Sequence, residues 1–252
     1  IGLSMATTAL IARRIGEKEP AAAALAAGQA IWVGLIISVL VGLVGIFFAR
    51  NILLLMGADE LVLETGETYT RIMFGSCFTI VFLFLINAIF RGAGDASLAM
   101  RALTLANCIN IVLDPCLIYG YGPFPELGLN GAAIATNIGR GIGVLYGLYY
   151  LCGGGGRIRL HISNLRLQLD VVFSIIRISI GGVSQFLVST ASWIFLMQIV
   201  SGFGSEAVAG YTIAVRIVMF SILPAWGLSN AAATLVGQNL GAGLPERAEE
   251  SV

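Results

Sequence analysis

Asp114 is the one carboxylate that stands inside a long apolar segment of this 252-residue chain. A charge there is costly in hydrocarbon unless it faces a cavity or a partner. Asn110 precedes it by four residues, so on a helix both side chains share a face, and their oxygens can converge on a hard cation or share a proton. Asp114 also adjoins Pro115 near the end of its segment, and a second reading has it snorkelling to the external surface. Both readings stand on these residues alone.

Other chemistry is scarce. Gly92-Ala93-Gly94-Asp95 has the GxGD form used by intramembrane aspartyl proteases, which need a second aspartate on the preceding membrane helix to divide acid and base roles. The preceding run, 72–90, contains none. Asp95 lies between Arg91 and Arg101, so a glycine-hinged turn with local ion pairing is expected. HExxH and GxSxG are absent, and the one histidine, His161, falls in a polar segment. The chain is therefore not expected to be an enzyme. Cys77, Cys108, Cys116 and Cys152 lie in apolar stretches without metal-ligand spacing and are expected to be buried thiols. No cofactor is expected, and no metal beyond a Na⁺ at Asp114.

The elements that must position these residues are membrane spans. The chain is 58% hydrophobic and 11% charged, against roughly 25% charged in a soluble domain. Its formal net charge is zero, without the basic patch of a nucleic-acid binder. A bilayer core of about 30 Å takes about 20 apolar residues of helix. Uncharged runs at 28–49, 72–90 and 178–200 meet that length, and 102–120 (with Asp114), 131–151 (with Arg140) and 207–236 (with Arg216 and Pro224) carry polar interruptions. Residues 1–12 read as the tail of a further helix whose start is missing. Gly139, Gly143 and Gly147 form a small-residue packing ridge. Arg140 and Arg216 read as buried cations, either structural or facing a cavity. Pro224 is expected to bend its span.

The loops then alternate in side. Arg13, Arg14, Lys18, Arg91, Arg101, Arg157, Arg159, Arg166 and Arg247 fall on one side, against only Arg50 and Arg71 on the other. The positive-inside rule makes the first side cytoplasmic. Asp59, Glu60, Glu64, Glu67, Glu126 and Glu206 lie opposite.

Residues 1–24 align without a gap on 226–249 at a constant offset of 225, with Gly2/Gly227, Leu3/Leu228, Ser4/Ser229, Ala6/Ala231, Leu10/Leu235, Gly16/Gly241, Pro20/Pro245 and Ala23/Ala248 identical. Both copies run in the same direction through the membrane, the mark of a parallel repeat about an axis along the membrane normal. The fold class expected is thus an all-α membrane protein built as a two-lobe transporter of 6+6 helices, here truncated to about 6.5. Residues 1–152 are the N-terminal lobe, 153–170 a flexible then basic cytoplasmic connector, and 171–252 the start of the C-terminal lobe.

Five patterns carry a family likeness: LLLMGADELVLETGETYTRI (53–72), FRGAGDASLAMR (90–101), NIVLDPCLIYG (110–120), LGLNGAAIATNIGRGIG (127–143), and YTIAVRI (211–217) with GLSNAAATLVGQNLGAG (227–243). In this order and spacing the chain resembles the MATE family, the multidrug and toxic compound extrusion transporters, as a fragment lacking the first helix and the last four. The resemblance implies a twelve-helix, V-shaped exporter of amphipathic, often cationic, compounds driven by Na⁺ or H⁺. In a branch of the family an Asn and an Asp at this spacing in the fifth helix join a Thr in the sixth and an Asp in the first to hold the cation. Asn110, Asp114 and Thr136 match three of these. Arg140 and Arg216 stand where the family often has arginine. Gln185 lies in the helix where some members place a coupling glutamate, and no acid occurs from 178 to 200. Expected partners are a small-molecule substrate and the lipid bilayer of a cell (inner) membrane, with no nucleic acid and a monomeric state. A lipid-linked precursor flippase of similar architecture is the alternative.

Overall fold

The computed structural model describes residues 1–55, 60–153 and 155–252, without the side chains of Leu61, Ile162 and Ser205. Asp59, the residues 56–59 of the first pattern above, and Gly154 lie outside the described residues. The elements are α1 (Gly2–Gly16), α2 (Pro20–Leu55), α3 (Glu60–Gly75), α4 (Cys77–Ala93), α5 (Ala96–Tyr119), α6 (Gly128–Gly153), α7 (Leu169–Ser201), α8 (Ser205–Gly241) and α9 (Pro245–Glu249), with a 3₁₀ turn at Ile162–Leu165. No strand occurs among the described residues, as a chain in lipid requires when its backbone must be satisfied within each segment.

Helices α2, α5, α7 and α8 are long and apolar enough to cross a membrane, and α3 with α4 makes a further, broken span bent by 41°. The expected uninterrupted run 72–90 is thus two helices. At the break, Ser76 departs from helical geometry (φ −101°, ψ 18°) and its hydroxyl donates back to the Ile72 carbonyl at 2.5 Å, a bond that bends helices. Helix α6 has the length of a span, 26 residues, but carries Asn130, Asn137 and Arg140, and it packs among α3, α4 and α5. Helix α8 passes through Pro224 as one element.

The core is built mostly from small side chains of α1, α2 and α4 with α5 and α6 against them: Ala23, Ala27 and Ala30 meet Ile11, Leu85, Ile86 and Ile89. Alanine at these positions lets the helix axes approach closely without hydrogen-bonding groups left over. Helices α7 and α8 pack against α1 of this core. Ile175 is the buried residue of α7, while Ile180, Phe195, Phe220 and Leu228 are exposed, an apolar outer surface suited to lipid. Cys77 is buried as expected, but Cys108 and Cys152 are exposed and Cys116 is intermediate. An apolar segment turns one face to lipid, so apolar surroundings in sequence do not amount to burial.

The two repeated segments touch each other reciprocally. A Cβ on Gly16 would collide with the carbonyl of Gln238, and one on Gly241 with the carbonyl of Arg13. Positions 13 and 238 are themselves repeat mates, as are 16 and 241, so the two contacts are one contact applied twice. At the end of α1, Arg13 and Arg14 both donate to Glu17, at 3.0 and 2.8 Å. The hydrogen bond from Arg13, chiefly, holds the Glu17 carboxyl below its ordinary range. Its stabilisation is present above the ordinary carboxylate pKa and lost as pH falls through the lowered one.

The segment after α6 is docked rather than loose. Gln29, fully buried in α2, donates to the carbonyls of Asn164 (3.3 Å) and Arg166 (2.8 Å) and accepts from the Gln168 N–H (3.0 Å). Trp32 donates its indole N–H to Leu165 at 2.8 Å. Any side chain at Gly28 would strike the Asn164 carbonyl. In the basic part of the connector, at 164–168, the backbone is held by side chains of a helix more than a hundred residues upstream.

A polar cluster between two helices

Helices α5 and α6 lie against each other along a row of small residues. At Gly139 a Cβ would stand 2.6 Å from the Ala106 carbonyl and 3.3 Å from Cβ and N of Asn110. At Gly143 it would stand 3.0 Å from the Ala106 Cβ. Gly147, the third member of the ridge, faces Ile86 of α4 instead, at 2.5 Å. Glycine at 139 thus seats the Ala106–Asn110 turn on α6, one helical turn from Thr136.

That seating brings three of the sequence-derived residues into one hydrogen-bonded group. Asn110 Nδ2 donates to Asp114 Oδ1 at 2.9 Å along α5 and to Thr136 Oγ1 at 3.3 Å across to α6. All three side chains are half-buried. The amide nitrogen has two protons, so both bonds can form at once. Asn110 Oδ1 and Asp114 Oδ2 take no part in these two bonds. Pro115 has no N–H, so the Ile111 carbonyl lacks its helical donor one turn earlier. The group is rich in oxygen and poor in protons, the chemistry of a hard-cation or proton acceptor. Among the described residues, no cluster of three His, Cys, Asp or Glu side chains could hold a metal.

The remaining candidates are elsewhere. Arg140 is half-buried on α6. Arg216 is exposed on α8. Gln185 is exposed on α7. Asp95 pairs with neither Arg91 nor Arg101; its partner is Arg157, whose backbone N–H donates to Oδ2 at 2.6 Å while Nε lies 3.7 Å from Oδ1.

Sequence reasoning missed a second polar group next to the first. Thr79 of α4 donates to Asn137 Oδ1 at 3.1 Å, and Asn137 Nδ2 donates to the Ala133 carbonyl at 2.8 Å. An isolated amide inside an apolar run was the available signal.

A helical bundle with a broken span, a parallel internal repeat and a polar cluster between inner helices is the architecture of a multi-pass membrane protein. The comparisons with known proteins agree. The model of the MatE family matches residues 1–116 and 182–252, and the chain belongs to that family. It is 30% identical to the Probable multidrug resistance protein NorM of Thermotoga maritima over 98% of this chain and 53% of that one. With the Multidrug export protein MepA of Staphylococcus saprophyticus it shares 26% identity over 91% of this chain and 50% of that one. A solved MOP superfamily transporter from Pyrococcus furiosus superposes with TM-score 0.89 at 28% identity, covering 99% of this chain and 55% of the other. A multidrug resistance MATE family transporter in an outward-facing conformation gives TM-score 0.89 at 29% identity over 99% and 55% of the two chains. The chain spans about half the length of the relatives it matches.

Proposed function

We propose that the protein is a secondary active antiporter that exports amphipathic or cationic small molecules in exchange for Na⁺ or H⁺, with Asp114 as the coupling carboxylate and Asn110 and Thr136 as its neutral partners. The observation that carries this reading is the Asn110 amide bonded at once to Asp114 and Thr136. Entry of a cation or proton at Asp114 takes the place of the amide proton. Asn110 then turns its oxygen toward the site, and that rearrangement is transmitted to α6 through Thr136. The export reading draws on the relatives named above for substrate class.

The reciprocal contact of Gly16 and Gly241 supports a division into lobes at 1–152 and 171–252 joined by 153–170. The arginine asymmetry supports a cytoplasmic connector in a cell inner membrane. A lipid-linked precursor flippase should line its cavity with several cations that hold phosphate, whereas within the spans of this chain Arg140 and Arg216 are the candidates.

The test is Asp114→Asn in the full-length protein, reconstituted in proteoliposomes under an imposed Na⁺ or H⁺ gradient. Substrate binding should persist while gradient-driven efflux is lost. Undiminished efflux per folded transporter would return Asp114 to the snorkelling reading.

A further inference from the structure

The GxGD turn, to which the coupling reading assigns no part, has a physical role at the end of α4. A helix leaves its last four carbonyls without intrahelical partners. Here the Gly94 N–H takes the Arg91 carbonyl at 2.9 Å and the Asp95 N–H takes that of Phe90 at 2.8 Å, with Gly94 in the left-handed region at φ 85°. The other two are taken from far away in the chain. Gln238 Nε2, on α8, donates to the Gly92 carbonyl at 3.2 Å, and Arg157 Nη1 donates to that of Ala93 at 3.4 Å. Arg157 also grips Asp95.

Each residue of the motif has a reason in this geometry. A Cβ at Gly92 would stand 2.8 Å from the Thr8 carbonyl, and one at Gly94 would stand 2.8 Å from Arg157 Nη1 and 3.3 Å from Gln238 Nε2. At Gly156 it would stand 3.1 Å from Asp95 Oδ2. Gln238 is the repeat mate of Arg13, and its own carbonyl lies against Gly16. One residue of the second repeat copy therefore reaches past α1 to complete a helix end of the first half.

We infer that Gln238 is a latch on the C-terminus of α4, a helix end that Arg157 holds in shape from within the first half, and that the latch keeps α8 against the first half in this conformation and opens when the halves separate at this end. The inference rests on the export reading, since separation of the halves at this end is the alternation that reading needs. Opening leaves the Gly92 carbonyl to water, so the latch biases the equilibrium without blocking it.

The experiment places spin labels at Arg101 and Glu246, both exposed at this end, in the full-length protein in lipid nanodiscs, and reads the distance distribution. Gln238→Ala should raise the population of the longer distance about fivefold, the factor expected for one hydrogen bond of ordinary net strength. Arg157→Ala, which removes its carbonyl bond and the Asp95 ion pair within the first half, should raise it less than Gln238→Ala. Gln238→Arg, which restores a donor, should return the distribution toward that of the native protein. A distribution that matches the native one in Gln238→Ala, with unchanged thermal stability, overturns the latch. Efflux by the native protein is measured in parallel, so failure of the latch and failure of the export reading appear in different columns.

Discussion

At the scale of single residues, the spacing of Asn110 and Asp114 is enough to place them together, because four residues is close to one helical turn whatever the neighbours do. Thr136 was reached only through the family likeness, since its position against Asn110 depends on how α6 lies on α5. Thr79 and Asn137 were not legible for the same reason: they meet across helices whose rotation a sequence does not state. The cluster makes a graded prediction. Asn110→Ala removes the bridge and one oxygen, and the apparent affinity for the driving ion should fall about tenfold, as for loss of a hydrogen bond to a charged group. Thr136→Val keeps the volume and removes one neutral oxygen, and the fall should be about threefold. Both are read from efflux rates at varied Na⁺ or H⁺; a Thr136→Val effect equal to that of Asp114→Asn would contradict the assigned roles.

At the scale of helices, small residues decide how closely elements approach. In α6, Gly139 faces the Ala106 carbonyl at 2.6 Å from its would-be Cβ, whereas Gly141, two residues on, has nothing within 4 Å. Gly139→Ala should lower stability by about 1–3 kcal/mol through overpacking. Gly141→Ala should be neutral or raise stability by about 0.5–1 kcal/mol, because it removes only the freedom of an unfolded glycine. Thermal unfolding of the two purified variants checks this, and equal losses would mean that α6 does not approach α5 here. The break at Ser76 was invisible to a hydropathy reading, because apolarity is continuous across it and the cause is a serine hydroxyl competing for a helix carbonyl.

At the scale of the whole molecule, the internal repeat was the most legible feature, since an ungapped match of Gly and Pro at a fixed offset reports on architecture directly. Its sidedness is testable. Single cysteines at Glu64 and Arg159, both exposed, in a background lacking the four native ones, should be labelled from opposite sides of the membrane by an impermeant reagent. Arg159 should be the inner of the two. Labelling of both from one side would change the number of crossings between them.

The clamp of Gln29 on residues 164–168 sets how much slack the link between the halves contains. Because that stretch moves with α2, and Leu160 is tied back to Leu151 by a 2.8 Å backbone bond, the chain from α6 to the clamp belongs with the first half, and α7 begins at Leu169 directly after it. An insertion beside Gly153 lengthens only a loop closed within the first half, where each doubling of loop length costs about 0.6 kcal/mol, so it changes little about how often the halves meet. One residue added between 164 and 168 is another matter. It shifts three backbone partners past one buried amide, and that amide has no second register in which to find them.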